Sequence, residues 1–199
     1  MDYKAAEDCL LDLNRLFQYR RIPFFLIQGT ALGAYRDNGF APRDVDIDLG
    51  ILIEHLLPHF HQVLVDLQES GFLWSTRSKP FSRERIIVAK RAGVKIDITT
   101  YVPWKEFRFC ANTDPALHYS VVYRHEMMET YDVVKVFGKC FRVPAPVEEY
   151  LQLEYGEDWR TPKPDSTSRT RRYYFVRKER IPHDWLDQFA SKHSHQSSG

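Results

Sequence analysis

Three carboxylates fall at alternate positions in one short stretch: Asp44, Asp46 and Asp48. Apolar Val45, Ile47, Leu49 and Ile51 interleave with them, a period-2 pattern that predicts a strand over 45–51. Side chains two apart on a strand share a face, so Asp46 and Asp48 are expected side by side. Like charges held close repel, and burial sharpens the repulsion. A hard dication, Mg2+ or Mn2+, relieves it by taking carboxylate oxygens as ligands. A solvated acidic edge strand is the competing reading, but Asp is disfavoured in strand interiors, so two on one face call for a reason. Asp97, in Lys95-Ile96-Asp97-Ile98, stands on the polar face of a second expected strand over 94–102. Asp46, Asp48 and Asp97 are therefore the expected metal ligands and catalytic residues of a site that handles phosphate.

A glycine-rich turn, Gly29-Thr30-Ala31-Leu32-Gly33, precedes the acidic strand and follows the apolar run Phe24-Phe25-Leu26-Ile27. A strand-to-helix turn points backbone N–H groups outward at the positive end of a helix dipole, which suits an anion such as phosphate. Gly29 would permit close approach, Thr30 would add a hydroxyl donor, and Gly33 would permit tight helix packing. By itself such a turn more often marks backbone geometry than a ligand. Its nearness to the acidic strand raises the functional reading. Arg36 suits a bidentate phosphate clamp or, equally, a structural ion pair.

These residues need a scaffold. Ala6, Cys9, Leu10, Leu13, Leu16 and Phe17 recur at 3–4 spacing, which predicts an amphipathic helix over 3–20, stopped by Pro23. Phe24 to Ile27 reads as a buried strand, and a helix follows from Gly29 to about Tyr35. The loop 37–42 is rich in turn formers. Residues 54–69 predict a helix with Pro58 in its first turn and Gly71 beyond its end. Strands follow over 72–76, 85–90 and 94–102, the last two joined at Ala92-Gly93. The stretch 103–130 has no clear periodicity beyond a turn at Asn112-Thr113-Asp114-Pro115. A hairpin pivoting on Gly138-Lys139 spans 131–143, and a helix spans 147–155 up to Gly156. A last helix is expected over 183–190. The alternation of elements predicts a single α+β domain, a mixed sheet flanked by helices.

Composition narrows the functional classes. The 199 residues carry a formal net charge of +1, so no whole-protein field argues for nucleic acid. Cys9, Cys110 and Cys140 are odd in number and widely spaced, which supports neither a zinc site nor a disulfide framework. No signal peptide, membrane anchor or spanning run is evident, and cytoplasm is the expected compartment. His55, His59 and His61 read as a helix surface rather than a metal cluster. Tyr155 and Trp159 read as core rather than as a base-stacking platform. From Arg160 to Arg180 eight Lys/Arg stand against two acids. The run Arg169, Arg171, Arg172, Arg177, Lys178 and Arg180 reads as a solvated face before a donor or glycan contact. The expected division is a catalytic domain over 1–162 and a basic extension over 163–199, on or near the site, with a frayed end.

The stretch QGTALGAYRDNGFAPRDVDID resembles the signature of the LicD/fukutin family, a branch of the nucleotidyltransferase-fold superfamily. The family pattern is approximately G-T-L-L-G-A-x-R-x-x-G-F-I-P-W-D-D-D-I-D. Gly29, Thr30, Leu32, Gly33, Ala34, Arg36, Gly39, Phe40, Pro42, Asp44, Asp46, Ile47 and Asp48 match it in register. Downstream, Glu149-Tyr150-Leu151 and Tyr155-Gly156-Glu157-Asp158-Trp159-Arg160-Thr161-Pro162 resemble the family's E-Y-L…Y-G-x-D-W-x-T-P. Asp97 matches its third carboxylate. The resemblance spans about 24–162. Arg43 stands where the family has Trp, and Val45 replaces its middle Asp; both departures bear on the donor pocket.

The resemblance implies a nucleotidyltransferase-like fold and transfer of a phosphorylated alcohol, such as phosphocholine or a polyol phosphate. The donor would be CDP-linked and the acceptor a glycan or small-molecule hydroxyl. Asp46 and Asp48 would hold Mg2+ or Mn2+ on the diphosphate. Asp97 would complete the metal shell or act as general base. Gly29, Thr30, Gly33, Arg36, Asp44 and Arg43 would contact substrate, with Asp44 orienting Arg36 or the acceptor. Relative to animal fukutin-type enzymes the chain is expected to be a minimal soluble member without anchor or stem. Nucleotidyl transfer from an NTP with release of pyrophosphate is the alternative on the same fold, and an inactive nucleotide-binding module is another. A nucleotide-sugar glycosyltransferase is disfavoured by the Gly-Thr turn and the Y-G-x-D-W segment.

Overall fold

The computed structural model describes residues 1–77, 86–114, 119–162 and 178–179. The expected C-terminal helix and all of the 163–199 extension except Lys178–Glu179 lie outside these residues.

The first helix, α1 (Tyr3–Tyr19), is capped by the Asp2 carboxylate, which accepts from the N–H groups of Lys4 and Ala5. All six apolar residues of the expected stripe are buried, with Asn14 beside them. The chain then enters β1 (Phe25–Leu26), shorter than the expected strand because only these two residues pair with β2. Helix α2 (Gln28–Leu32) follows without a linker and runs into a π-helical turn, Gly33–Asp37. That turn ends at Asn38 in the left-handed region.

The acidic strand is β2 (Asp46–Leu52). The single helix expected over 54–69 is broken into α3 (Ile53–Leu56), a 3-10 turn (Leu57–His59) and α4 (Phe60–Glu69). Pro58 accounts for the break: it lacks an N–H, and its ring clashes with the preceding helical turn. His55, His59 and His61 are exposed, as expected.

The remaining strands are β3 (Leu73–Arg77), β4 (Ile86–Arg91), β5 (Val94–Trp104), β6 (Phe107–Asp114) and β7 (Tyr119–Arg124). β4 and β5 meet at Ala92-Gly93, both at positive φ, the geometry of a tight two-residue hairpin. β6 continues through Asn112-Thr113-Asp114, where turn formers had predicted a turn. Asp114 still pairs with Tyr119 across a shifted register. After α5 (His125–Glu129), β8 (Tyr131–Val136) and β9 (Lys139–Pro144) form a separate hairpin. It pivots on Phe137-Gly138, one residue before the expected position. Helix α6 (Val147–Tyr155) stops at Gly156, where φ is +89°. Lys178–Glu179 forms β10 against β7.

The main sheet runs β1-β2-β5-β6-β7-β10, with β4 and then β3 on the first half of β5. It is mixed: β2 lies parallel to β5, and the other pairings are antiparallel. Alternation gives each central strand two characters. Ile47, Leu49 and Ile51 of β2 and Ile96 and Ile98 of β5 are completely buried, in one core with the apolar stripes of α1 and α4. At about 1.5–3 kcal/mol per buried aliphatic side chain, this face holds the layers together. The opposite face carries Asp46, Asp48, Lys95 and Asp97, then Tyr101. Arg108 is buried under this edge and pairs with Glu54 and Glu129, tying β6 to α3 and α5. Among the described residues no helix is long and apolar enough to cross a membrane.

Candidate active site

Parallel pairing of β2 with β5 sets Asp46 opposite Lys95 and Asp48 opposite Asp97. Each of Asp46, Asp48 and Asp97 offers a carboxylate oxygen, and these oxygens lie within 4.8 Å of one another. The acidic strand is not a solvated edge: β1 and β5 flank it, and Asp48 is only 6% exposed. Asp46 and Asp97 are partly open, so the cluster has a covered floor and an accessible mouth.

Lys95 Nζ donates to Asp46 Oδ2 at 2.9 Å and to Asp97 Oδ2 at 2.5 Å. Burial pulls its pKa down, but hydrogen bonds and charge from Asp97 and Asp46 outweigh that, and the ammonium titrates above its ordinary range. Asp97 Oδ1 is buried with no hydrogen-bond partner among the described residues. A buried, unpaired carboxylate oxygen is costly and points to a missing cation or donor. The all-oxygen donor set, two acids from one strand and one from its neighbour, fits a hard dication. Asp46, Asp48 and Asp97 are the residues that would hold it.

The glycine turn is fastened to this cluster. Thr30, buried, accepts at Oγ1 from the Asp48 N–H at 2.8 Å, and the Ile27 N–H donates to the Asp48 carbonyl at 3.2 Å. Thr30 thus locks α2 to the acidic strand. Gly29 allows a close approach: a Cβ there would lie 2.8 Å from Asp44 Oδ2 and would push that carboxylate aside. The Asp44 carboxylate therefore covers the turn where an anion was expected. Gly33 packs against backbone, a Cβ there falling 2.2 Å from the Ala41 nitrogen. Its role is the tight packing its position suggested, against the 39–41 loop.

Arg36 binds Asp37 through Nε at 2.9 Å and Nη2 at 2.7 Å, and donates from Nη1 to the Trp159 carbonyl at 3.0 Å. Of its two expected roles, the structure shows the ion pair, with Asp37 rather than Asp44. Arg43 is exposed and holds a left-handed backbone at φ +65°, its N–H donating to the Tyr3 hydroxyl at 2.8 Å. Trp159 is buried with its ring 5.8 Å from Tyr35, and Tyr155 packs on the core, as expected of both.

A deeper polar layer on the carboxylate face was not anticipated. Gln28 opens α2 at φ +52°, and its N–H donates to the Tyr150 hydroxyl at 3.0 Å. The rings of Tyr101, Tyr123 and Tyr150 step across from β5 to α6 at 5.8 and 5.9 Å. The Tyr123 hydroxyl donates to Glu154, which has no exposure at all. Burial above all, with the charge of Glu154, pushes the Tyr150 phenol well above its usual range, so it stays neutral. The one sequence hint was Tyr150's place in the E-Y-L segment. A groove of about 810 Å3 lies elsewhere, lined by Phe17, Phe24, Tyr131 and Arg142 near Leu52. None of the three carboxylates lines it.

The sheet and its acidic pair define a protein of nucleotidyltransferase fold. The crystal structure of ANT(2'')-Ia in complex with adenylyl-2''-tobramycin shares that fold, with a TM-score of 0.50 at 12% identity over 97% of this chain and 99% of that one. The chain belongs to the LicD/FKTN/FKRP nucleotidyltransferase domain family, whose profile matches residues 21–146. Mouse ribitol-5-phosphate transferase FKTN is 27% identical over 160 residues, 80% of this chain and 34% of its own length. An uncharacterized protein of Caenorhabditis elegans is 24% identical over 170 residues, 82% of this chain and 44% of that one. An uncharacterized protein of Rickettsia typhi is 36% identical over 61 residues, 31% of this chain and 19% of that one. The chain thus spans less than half the length of these curated relatives.

Proposed function

We propose that the chain transfers a phosphorylated alcohol, phosphocholine- or polyol-phosphate-like, from a CDP-linked donor to a hydroxyl of a glycan or small molecule. The observation that carries this reading is the convergence of Asp46, Asp48 and Asp97 from two parallel strands. It occurs in a chain whose family includes a ribitol-5-phosphate transferase.

The reaction forms one bond and breaks one. The acceptor oxygen attacks the donor's distal phosphorus, the bridging P–O bond breaks, and CMP leaves with the bonding electrons. The hydroxyl proton passes to a carboxylate or to solvent. A Mg2+ or Mn2+ bound by Asp46, Asp48 and Asp97 would supply charge neutralisation at the diphosphate oxygens. The chain's own part is positional. Asp48 is held from both sides of its peptide by Thr30 and Ile27, so the carboxylate pair is aimed before substrate arrives. Asp97, with one oxygen on Lys95 and one unpaired, is the carboxylate available to take the proton or complete the ligand shell. Asp44 lies against Gly29, where the turn meets the acidic strand, and would set the approach of donor or acceptor. In this reading Gly29, Thr30, Gly33, Arg36 and Arg43 would be further substrate contacts, although Thr30 and Arg36 already serve structural bonds.

The family's domain is described as a nucleotidyltransferase domain, which favours a second reading: an NTP donor, attack at the α-phosphorus and release of pyrophosphate. Incubation with CDP-linked alcohols and with NTPs, in Mg2+ or Mn2+, separates the two by product. CMP released only from CDP-alcohols, and lost in Asp46→Asn and Asp48→Asn, is expected. Pyrophosphate from an NTP would establish the second reading. Full metal-dependent turnover in both variants would sink the assignment of these carboxylates, and absence of both turnover and nucleotide binding would mark an inactive module.

A further inference from the structure

Lys95 is the one cation whose ammonium lies among the three carboxylates in the described residues. Its geometry is that of a bridging ion: 2.9 Å from Asp46 Oδ2 on one strand and 2.5 Å from Asp97 Oδ2 on its own. Register fixes it there. Lys95 is opposite Asp46 and two residues before Asp97, so all three side chains share one face. Three carboxylates within 4.8 Å would repel strongly without compensation. One ammonium offsets a third of that charge. The carboxylates it bridges are the ones that would ligate a dication, which Mg2+ takes at about 2.0–2.1 Å. A dication seated among the same carboxylates would lie close to the ammonium, and the two positive charges repel.

We propose that Lys95 is a built-in counter-ion of the metal site. It holds the carboxylates together before metal binds, is displaced by the incoming dication, and in its displaced position contacts the phosphates of the nucleotide donor. The proposal rests on the metal-site reading above and goes beyond it by giving one residue two states. The side chain suits the exchange. It is 31% exposed, so the way out toward the mouth is open, and its four-carbon stem is flexible enough to swing. Once displaced, it stays on the same sheet face beside the bound dication. A diphosphate that meets both gains a second positive contact, at a point where charge-assisted hydrogen bonds are strongest. Metal and lysine thus act in sequence: metal binding is weakened by Lys95, and donor binding is strengthened by it. Ordered loading, metal before nucleotide, follows.

The test uses the full chain and two variants, Lys95→Met and Lys95→Gln, with Mn2+ binding read by electron paramagnetic resonance of the free ion. CDP binding is read by calorimetry at saturating Mn2+. Removing a competing positive charge at contact distance is expected to tighten Mn2+ binding by about tenfold or more. The same variants are expected to weaken CDP binding in the presence of Mn2+. Opposite movement of the two affinities is the signature, because a merely structural lysine would weaken both. Mn2+ affinity unchanged or lowered in both variants, while Asp48→Asn abolishes binding, would overturn the role of Lys95 and leave the metal site standing. Absence of Mn2+ binding in the wild type and every variant would overturn the metal site and the proposal with it. Should Lys95→Met melt too low to study, Lys95→Gln keeps polar contacts to both carboxylates and carries the same expectation.

Discussion

Arg36 Nη1 donates to the Trp159 carbonyl at 3.0 Å across 123 positions, so the turn after α2 holds the segment beyond α6. The same guanidinium grips Asp37 through two further bonds. With its side chain 13% exposed and three bonds made, Arg36 acts as a clamp between the turn after α2 and the segment beyond α6. Lysine cannot reproduce a planar fork. Arg36→Lys is expected to destabilise the chain by about 1–2 kcal/mol, measured by urea denaturation. A phosphate clamp with no structural part would leave the denaturation midpoint unchanged.

Gly29 and Gly33 sit four residues apart and are expected to respond differently to alanine. At Gly29 the clash is with the end of the Asp44 side chain, which can move. Gly29→Ala should melt close to wild type yet lose turnover, because the Asp44 carboxylate is displaced. At Gly33 the clash is with the backbone of the 39–41 loop, which cannot yield without moving the chain. Gly33→Ala should cost about 1–3 kcal/mol, the usual range for overpacking. Equal melting temperatures for the two variants would contradict this.

Tyr150→Phe removes the acceptor for the buried Gln28 N–H. An orphaned backbone donor costs about 1–3 kcal/mol, and here the donor also sits at a strained left-handed residue. The expected outcome is a loss in that range by denaturation. A loss well below 1 kcal/mol would mean that Gln28 finds another partner.

Asp66 joins α4 to the end of α1 through a two-point pair with Arg20, at 2.5 and 2.7 Å. Its carboxyl titrates below the ordinary range, chiefly because of that hydrogen-bonded guanidinium. A lowered folded-state pKa contributes stability above the unfolded value, about 3.9, and loses it as pH falls through the folded value. Asp66→Asn should therefore lower the melting temperature at pH 7, and the gap to wild type should close as pH drops below about 3.9. A gap that persists in acid would assign the effect to packing instead.

The parts of this site visible in the sequence were those carried by short-range periodicity. Asp46, Asp48 and Asp97 could be placed on shared strand faces because β2 and β5 alternate cleanly with Ile47, Leu49, Ile96 and Ile98. The α1 stripe was visible for the same reason at helical spacing. What escaped depended on partners far apart in the chain. Nothing near Gln28 announces Tyr150, and Glu154 on an amphipathic helix looks like a solvent-facing acid until Tyr123 is brought against it. Lys95 lies on the same polar face in sequence, but its role depends on register with Asp46 across two strands. Arg36 carried two readings that only the position of Trp159 could separate. Pro58 does sit in a first turn, but in that of the 3-10 segment that separates α3 from α4 rather than of one continuous helix.

The central claim is that Asp46, Asp48 and Asp97 hold a dication against the phosphates of a nucleotide. Anomalous scattering at the manganese edge from crystals grown with Mn2+ and CDP tests it most directly. The expected result is a peak between the three carboxylates, with oxygens of Asp46 and Asp48 and of the CDP diphosphate in its ligand shell. CDP bound with no manganese between those carboxylates, or manganese bound only at another place in the fold, would contradict it.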